Sequence, residues 1–266
     1  MATLLDPTAC GRVILVGAGP GDPELLTVRA VEALKRADVV IHDGLIDPRV
    51  LDLAPADAQR ISVAKKRARH TLPQDAINAL IVARAKTGSV VVRLKGGDPF
   101  IFGRGGEEVE AVRAAGLPVE VIPGVSAALG CAAEAMLPLT HRDYSSAVSF
   151  VAGQCKGLTG QDWSGLAGKG RTLVIYMGIA TAADIADKLM CDGVAPEMPV
   201  AVLERGTLDG HRAIKTLLAD LGPMVEREQV ASPAIIVVGE VVALSDAEDK
   251  LHSWAQVAGT LAETVA

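Results

Sequence analysis

Apolar and polar positions repeat along this chain in two periods, and the switch between them marks the elements. Arg12 to Val16 reads as a buried strand. From Pro23 to Ala37 the apolar positions Leu25, Leu26, Val28, Val31, Ala33 and Leu34 predict one helix with a single apolar face. Asp38 to Ile41 and Arg60 to Val63 read as strands, and Pro73 to Lys86 as a helix. Ser89 to Leu94 is the strongest strand, with three valines in a row. Glu107 to Ala115 is a helix stopped by Gly116, and Val119 to Ile122 a short strand. This strand-helix rhythm predicts a mostly parallel sheet covered on both faces.

A second set of elements follows Pro123-Gly124. A small-residue helix is expected from about Ser126 to Ala135, then strands at Ala147 to Ala152, Thr172 to Met177, Val200 to Leu203 and Ala234 to Val238. A helix from Ala182 to Cys191 lies among them, and Gly153 to Gly170 reads as a long polar loop. The expected fold class is α/β, with one domain over residues 1–123, a second over 124–245 and a polar tail over 246–266. A cleft between two such lobes, at the carboxyl ends of strands, is the usual place for a ligand.

Composition narrows the function. Half of the 266 residues are hydrophobic but only 3% are aromatic, and the net charge is −6. That balance argues against a nucleic-acid partner. No apolar run reaches membrane-spanning length, so a soluble cytoplasmic protein is expected. Cys10, Cys131, Cys155 and Cys191 are scattered without a C-x-x-C spacing, and the five histidines lack ligand spacing. Neither a metal site nor a disulfide framework is expected.

Four stretches carry candidate chemistry. Gly17-Ala18-Gly19-Pro20-Gly21-Asp22-Pro23 joins a strand to a helix. It fails the dinucleotide pattern, because Asp22 stands at the last glycine position and two prolines remove backbone donors. It reads equally as a rigid turn or as a ligand loop. The run from Arg93 to Glu108 packs five glycines among several charges; Asp98 offers hydrogen-bond acceptors and Arg104 a guanidinium for a carboxylate. Arg60, Lys65, Lys66, Arg67, Arg69 and His70 form a basic run with no acid, either a solvated face or an attractor of polycarboxylates. Pro138-Leu139-Thr140-His141-Arg142-Asp143-Tyr144 groups a base, a guanidinium, a carboxylate and a phenol, or simply polar turn residues.

Together these stretches resemble the uroporphyrinogen-III C-methyltransferases of the tetrapyrrole methylase superfamily. Val16 to Thr27 resembles the superfamily's opening signature, Val92 to Glu108 its second, and Pro138 to Tyr144 the uroporphyrinogen branch. The resemblance runs from about residue 11 to residue 244 and matches a stand-alone methylase, without the dehydrogenase and ferrochelatase module of fused sirohaem synthases. Two departures stand out: His42 replaces the family's usual Tyr before Asp43, and Val63-Ala64-Lys65-Lys66 replaces Val-Gly-Lys-Arg.

The resemblance implies two α/β domains with the active cleft between them, usually as a homodimer. The implied cofactor is S-adenosyl-L-methionine, with S-adenosyl-L-homocysteine as product. By motif position Pro20, Gly96, Gly97, Asp98, Ile101, Ser126, Ala127, Met177 and Gly206 would bind it. Asp43 matches the proton acceptor and Lys65 the proton donor, with Lys66 adjacent; Arg104, Glu107 and Arg142 match residues of substrate binding and turnover. The implied reaction methylates uroporphyrinogen III at C2 and C7, giving precorrin-2 through precorrin-1, on the way to sirohaem, cobalamin or haem d1. The rivals are a later-pathway precorrin methyltransferase and a non-enzymatic nucleotide-binding module.

Overall fold

The structure, a computed structural model, describes residues 11–64, 72–154 and 162–245. The chain divides into two compact units, Met1–Ala127 and Ala128–Ala266. In the first, β1 (Arg12–Gly17), α1 (Val28–Leu34), β2 (Val39–His42), α2 (Pro48–Leu51), β3 (Gln59–Ser62), α3 (Gln74–Lys86), β4 (Val90–Lys95), α4 (Gly105–Ala114) and β5 (Val119–Ile122) follow one another. The strands form one sheet in the order β3-β2-β4-β1-β5, and every pairing is parallel.

Burial on both faces explains the unbroken apolar strands. In β1, Val13 and Leu15 pack with Ile81 of α3 and Val112 of α4, whereas Ile14 and Val16 pack with Ala30 and Leu34 of α1. Successive side chains of a strand point to opposite faces, so a strand covered on both sides must be apolar throughout.

The helix expected over Pro23 to Ala37 is instead two pieces. Pro23–Leu25 is a single 3₁₀ turn capped by Asp22, which accepts the Glu24 amide at 2.9 Å. Leu26 and Thr27 are extended, and Thr27 Oγ1 accepts the Ala30 amide at 3.1 Å, starting α1 afresh. Such a cap stabilises a helix start by about 1 kcal/mol, enough to override a continuous apolar pattern. Val28, expected on the apolar face, is 81% exposed.

In the second unit, α5 (Ala127–Glu134) begins at the junction, followed by β6 (Ser145–Ala152), β7 (Gly170–Tyr176), α6 (Ala182–Cys191), β8 (Pro199–Glu204), β9 (Arg212–Leu217), α7 (Leu221–Arg227) and β10 (Ala234–Val238). The sheet order is β6-β7-β10-β8-β9; β6 and β7 pair in parallel, and the other three pairings are antiparallel. Ala182, Ile185, Ala186 and Leu189 put one face of α6 into the core with Leu173, Ile175, Val202 and Ile236. The stretch expected as a long loop over Gly153 to Gly170 contributes Trp163 to that core, at 2% exposure. The tail after Ser245 lies outside the described residues.

Candidate functional site

In the first unit the loops leaving β1, β4 and β5, three neighbouring strands, are tied together at their carboxyl ends. Gly19 and Gly97 form an antiparallel bridge, with Gly97 N–H donating to Gly19 O at 2.7 Å and Gly19 N–H to Gly97 O at 3.2 Å. Asp98 Oδ2 accepts the Gly124 amide at 3.1 Å, and its Oδ1 accepts the Phe100 amide at 2.9 Å. The carboxylate read from sequence as a ligand acceptor therefore holds two loops in register.

The glycines here fall into two kinds. A Cβ on Gly17 would lie 2.5 Å from the Gly124 nitrogen, so Gly17 is glycine for packing. A Cβ on Gly96 would meet only the Leu45 Cβ, at 3.6 Å, and no positive φ requires glycine there. Neither packing nor backbone conformation explains Gly96, which leaves an open approach to bare peptide, the feature a ligand uses. Beside it, Gly97 has φ +67°, and its missing Cβ would stand 3.5 Å from the Ala127 nitrogen. Pro20, Gly96, Gly97, Asp98, Ile101, Ser126 and Ala127, spread over 108 residues of sequence, thus lie on three loops leaving neighbouring strands. Ser126 is buried, and Pro20 and Ile101 are half-buried.

A charged cluster fills the interior next to these loops. Glu108 of α4 is fully buried and accepts Arg93 Nε at 2.9 Å, Lys95 Nζ at 3.1 Å and Gln74 Nε2 at 3.3 Å. Arg93 Nη2 then reaches Asp43 Oδ1 at 2.5 Å, and Lys95 Nζ stands 4.0 Å from Asp43 Oδ2. Asp43 follows β2, and His42 Nδ1 donates to its carbonyl oxygen at 2.9 Å. Burial, then the neighbouring Arg93 cation, pushes the Lys95 ammonium below its ordinary pKa, while Glu108 and Asp43 oppose this. Sequence reasoning singled out Asp43 but not Arg93, Lys95 or Glu108. The available signal was two charges at alternate positions of the most apolar strand, on the face that α4 covers.

Arg104 and Glu107 are brought together but lie at the surface. The guanidinium grips the carboxylate in bidentate fashion, at 2.8 and 2.6 Å, with both side chains about half exposed. The pair raises the Arg104 pKa and lowers that of Glu107 through their mutual hydrogen bonds. Arg104 and Phe102 both adopt left-handed backbone, with φ of 57° and 53°. Strained conformations of this kind cost about 1 kcal/mol or more and gather at ligand sites. Lys65 and Lys66 lie outside the described residues.

In the second unit Arg142 is exposed in a turn closed by His141 and Ser145, whose amides and carbonyls exchange two 2.9 Å hydrogen bonds. Met177, just past β7, is 48% exposed with φ 55°. Gly206, just past β8, sits against α5: a Cβ there would lie 2.5 Å from Cys131 Sγ. Tyr176 anchors the start of α5 by accepting the Ala128 amide at 3.0 Å. Arg205 and Thr207, flanking Gly206, have φ of 50° and 66°.

Comparison with known proteins accounts for this arrangement. Residues 12–222 match the family model for tetrapyrrole (corrin/porphyrin) methylases. A siroheme synthase of Azotobacter vinelandii is 51% identical over 241 residues, covering 90% of this chain and 52% of that protein. The chain thus spans about half the length of the curated relatives it matches. The uroporphyrin-III C-methyl transferase of Thermus thermophilus, complexed with S-adenyl homocysteine, superposes with a TM-score of 0.76 at 40% identity, over 88% of this chain and 94% of that one. A cobalt precorrin-4 methyltransferase superposes with a TM-score of 0.78 at 23% identity, over 90% of this chain and 99% of that one, a likeness of fold alone. The chain belongs to the tetrapyrrole methylases, a family of S-adenosylmethionine-dependent methyltransferases.

Proposed function

We propose that this chain transfers methyl groups from S-adenosyl-L-methionine to C2 and then C7 of uroporphyrinogen III, giving precorrin-2 through precorrin-1. The observation that carries this reading is the likeness to the Thermus uroporphyrin-III enzyme along 94% of its length. Gly96 supports the cofactor half of it, since a close ligand is the physical reason left for glycine there. Pro20, Gly96, Gly97, Asp98, Ile101, Ser126 and Ala127 bind the cofactor from the first unit, and Met177 and Gly206 are further cofactor contacts.

The cofactor supplies a sulfonium methyl to an electron-rich pyrrole carbon by in-line displacement. The chain's main contribution is orientation, worth up to about 7–11 kcal/mol of barrier in well-aligned systems. Methylation at carbon requires proton loss from the macrocycle. Asp43, a carboxylate held by Arg93 at the exposed end of β2, accepts that proton, a contribution of about 10²–10⁴-fold. Lys65 returns a proton. Arg104, ordered by Glu107, and Arg142 bind the substrate's carboxylates. The working unit is a homodimer in the cytoplasm.

The test is incubation of the purified protein with uroporphyrinogen III and S-adenosylmethionine under reducing conditions, read by mass spectrometry. A product two methyl groups heavier is expected. No methyl transfer would overturn the reading. A single methylation, or turnover of precorrin-2 alone, would point to a later step of corrin synthesis.

A further inference from the structure

Three of the four charges around Asp43 have no access to solvent: the side chains of Glu108, Arg93 and Lys95 are 0%, 2% and 3% exposed. Buried ion pairs contribute little net stability, and well-packed apolar groups often do better in their place. The cluster therefore calls for a reason beyond folding. Its geometry supplies one. Glu108 is the hub that binds both cations, and each cation has a further side turned to the same carboxylate, Asp43. Asp43 is one-third exposed, the one member of the four that opens outward. The interior charges thus converge on a single outward carboxylate.

We propose that Arg93, Lys95 and Glu108 are positioning residues that act through Asp43, holding its carboxylate in place and setting the pH range in which it stays charged. This rests on the reading of Asp43 as the proton acceptor. The two cations favour the charged carboxylate, and Glu108 offsets them so that the four formal charges sum to zero. The depressed pKa of Lys95 fits this balance, because burial and Arg93 oppose its charge while Glu108 and Asp43 support it. The other titratable groups near the cluster are His42, bonded to the Asp43 carbonyl oxygen, and the Arg104–Glu107 pair with Asp75, close enough that Glu108 and Asp75 both act on Arg104.

The test is the pH profile of kcat in two variants of opposite sign. Lys95→Met removes a cation, so the carboxylate protonates more easily and the acid limb moves to higher pH. Glu108→Gln removes an anion at constant shape, and the limb moves to lower pH. Each displacement is expected to be about half to one pH unit. Lys95→Arg restores the wild-type limb. If Glu108→Gln does not fold, Gln74→Lys places a cation beside Glu108 from a half-buried site and moves the limb the same way. A purely structural role lowers the rate without opposite displacements, and that result overturns the proposal. Carboxyl-carbon NMR of Asp43 in the same variants separates the two readings. Opposite shifts of its titration with an unmoved rate profile support the positioning network and overturn Asp43 as the acceptor. Unmoved titration overturns the network, whatever the activity.

Discussion

Gly124 packs so closely on Gly97 that a Cβ added to Gly124 would stand 2.3 Å from the Gly97 carbonyl oxygen. Backbone, not a flexible side chain, is what that carbon meets, so relief requires the β4 and β5 loops to part. Gly124→Ala is expected to lower stability by about 1–3 kcal/mol and to weaken cofactor binding with it. Thermal denaturation and calorimetric titration with S-adenosylhomocysteine check both. Unchanged binding alongside a lowered Tm would detach the cofactor from these loops.

Asp98 binds the same junction through hydrogen bonds rather than close contact. Asp98→Ala strands the Phe100 and Gly124 amides together. The expected cost is about 1–3 kcal/mol, much of it in loop order, so S-adenosylhomocysteine affinity should fall by roughly tenfold or more. Asp98→Asn keeps one carbonyl acceptor and should fall between. Hydrogen exchange at the Gly124 amide reports the lost bond directly.

Arg104 is held at the surface by Glu107, and such pairs add little to stability. Arg104→Ala should leave Tm within experimental scatter. Turnover should fall by roughly tenfold or more, with cofactor affinity retained, because the lost contact is to substrate carboxylates. Equal losses in turnover and cofactor affinity would assign Arg104 to the cofactor loops instead.

Cys131 and Cys191 differ in burial, and so in reactivity. Burial pushes the Cys131 thiol up to about 11, while Cys191 is exposed. The thiolate is the reactive form, so iodoacetamide near pH 8 should label Cys191 well before Cys131, as peptide mass mapping would read. The linkage has a fixed sign. The folded state holds the Cys131 proton more tightly than the unfolded chain does, so its contribution to stability is complete below about pH 9 and lost as pH rises towards about 11. Denaturant midpoints across that range should fall, and Cys131→Ala should flatten the fall.

The sequence determined the elements whose period is set locally. The helix over Ala182 to Cys191 matches α6 residue for residue, because its apolar spacing alone faces one core. The buried strands of the first unit were legible for the same reason: burial on both faces leaves a continuous apolar run. Glycine density marked the loops after β1 and β4 as candidates for ligand contact. The tertiary structure decided which residues meet. Strand β9 (Arg212–Leu217) escaped the pattern because it is an antiparallel edge strand, burying Ile214 and Thr216 and keeping charge at Arg212 and Lys215. Only assembly separates Gly96, where space is open, from Gly17, where the backbone of Gly124 fills it. Arg93 and Glu108 read along the chain as solvated charges. Their burial becomes tolerable only when the fold brings each to its counter-charge, 50 residues away for Arg93 and Asp43, because a charge leaves water at acceptable cost only against a partner.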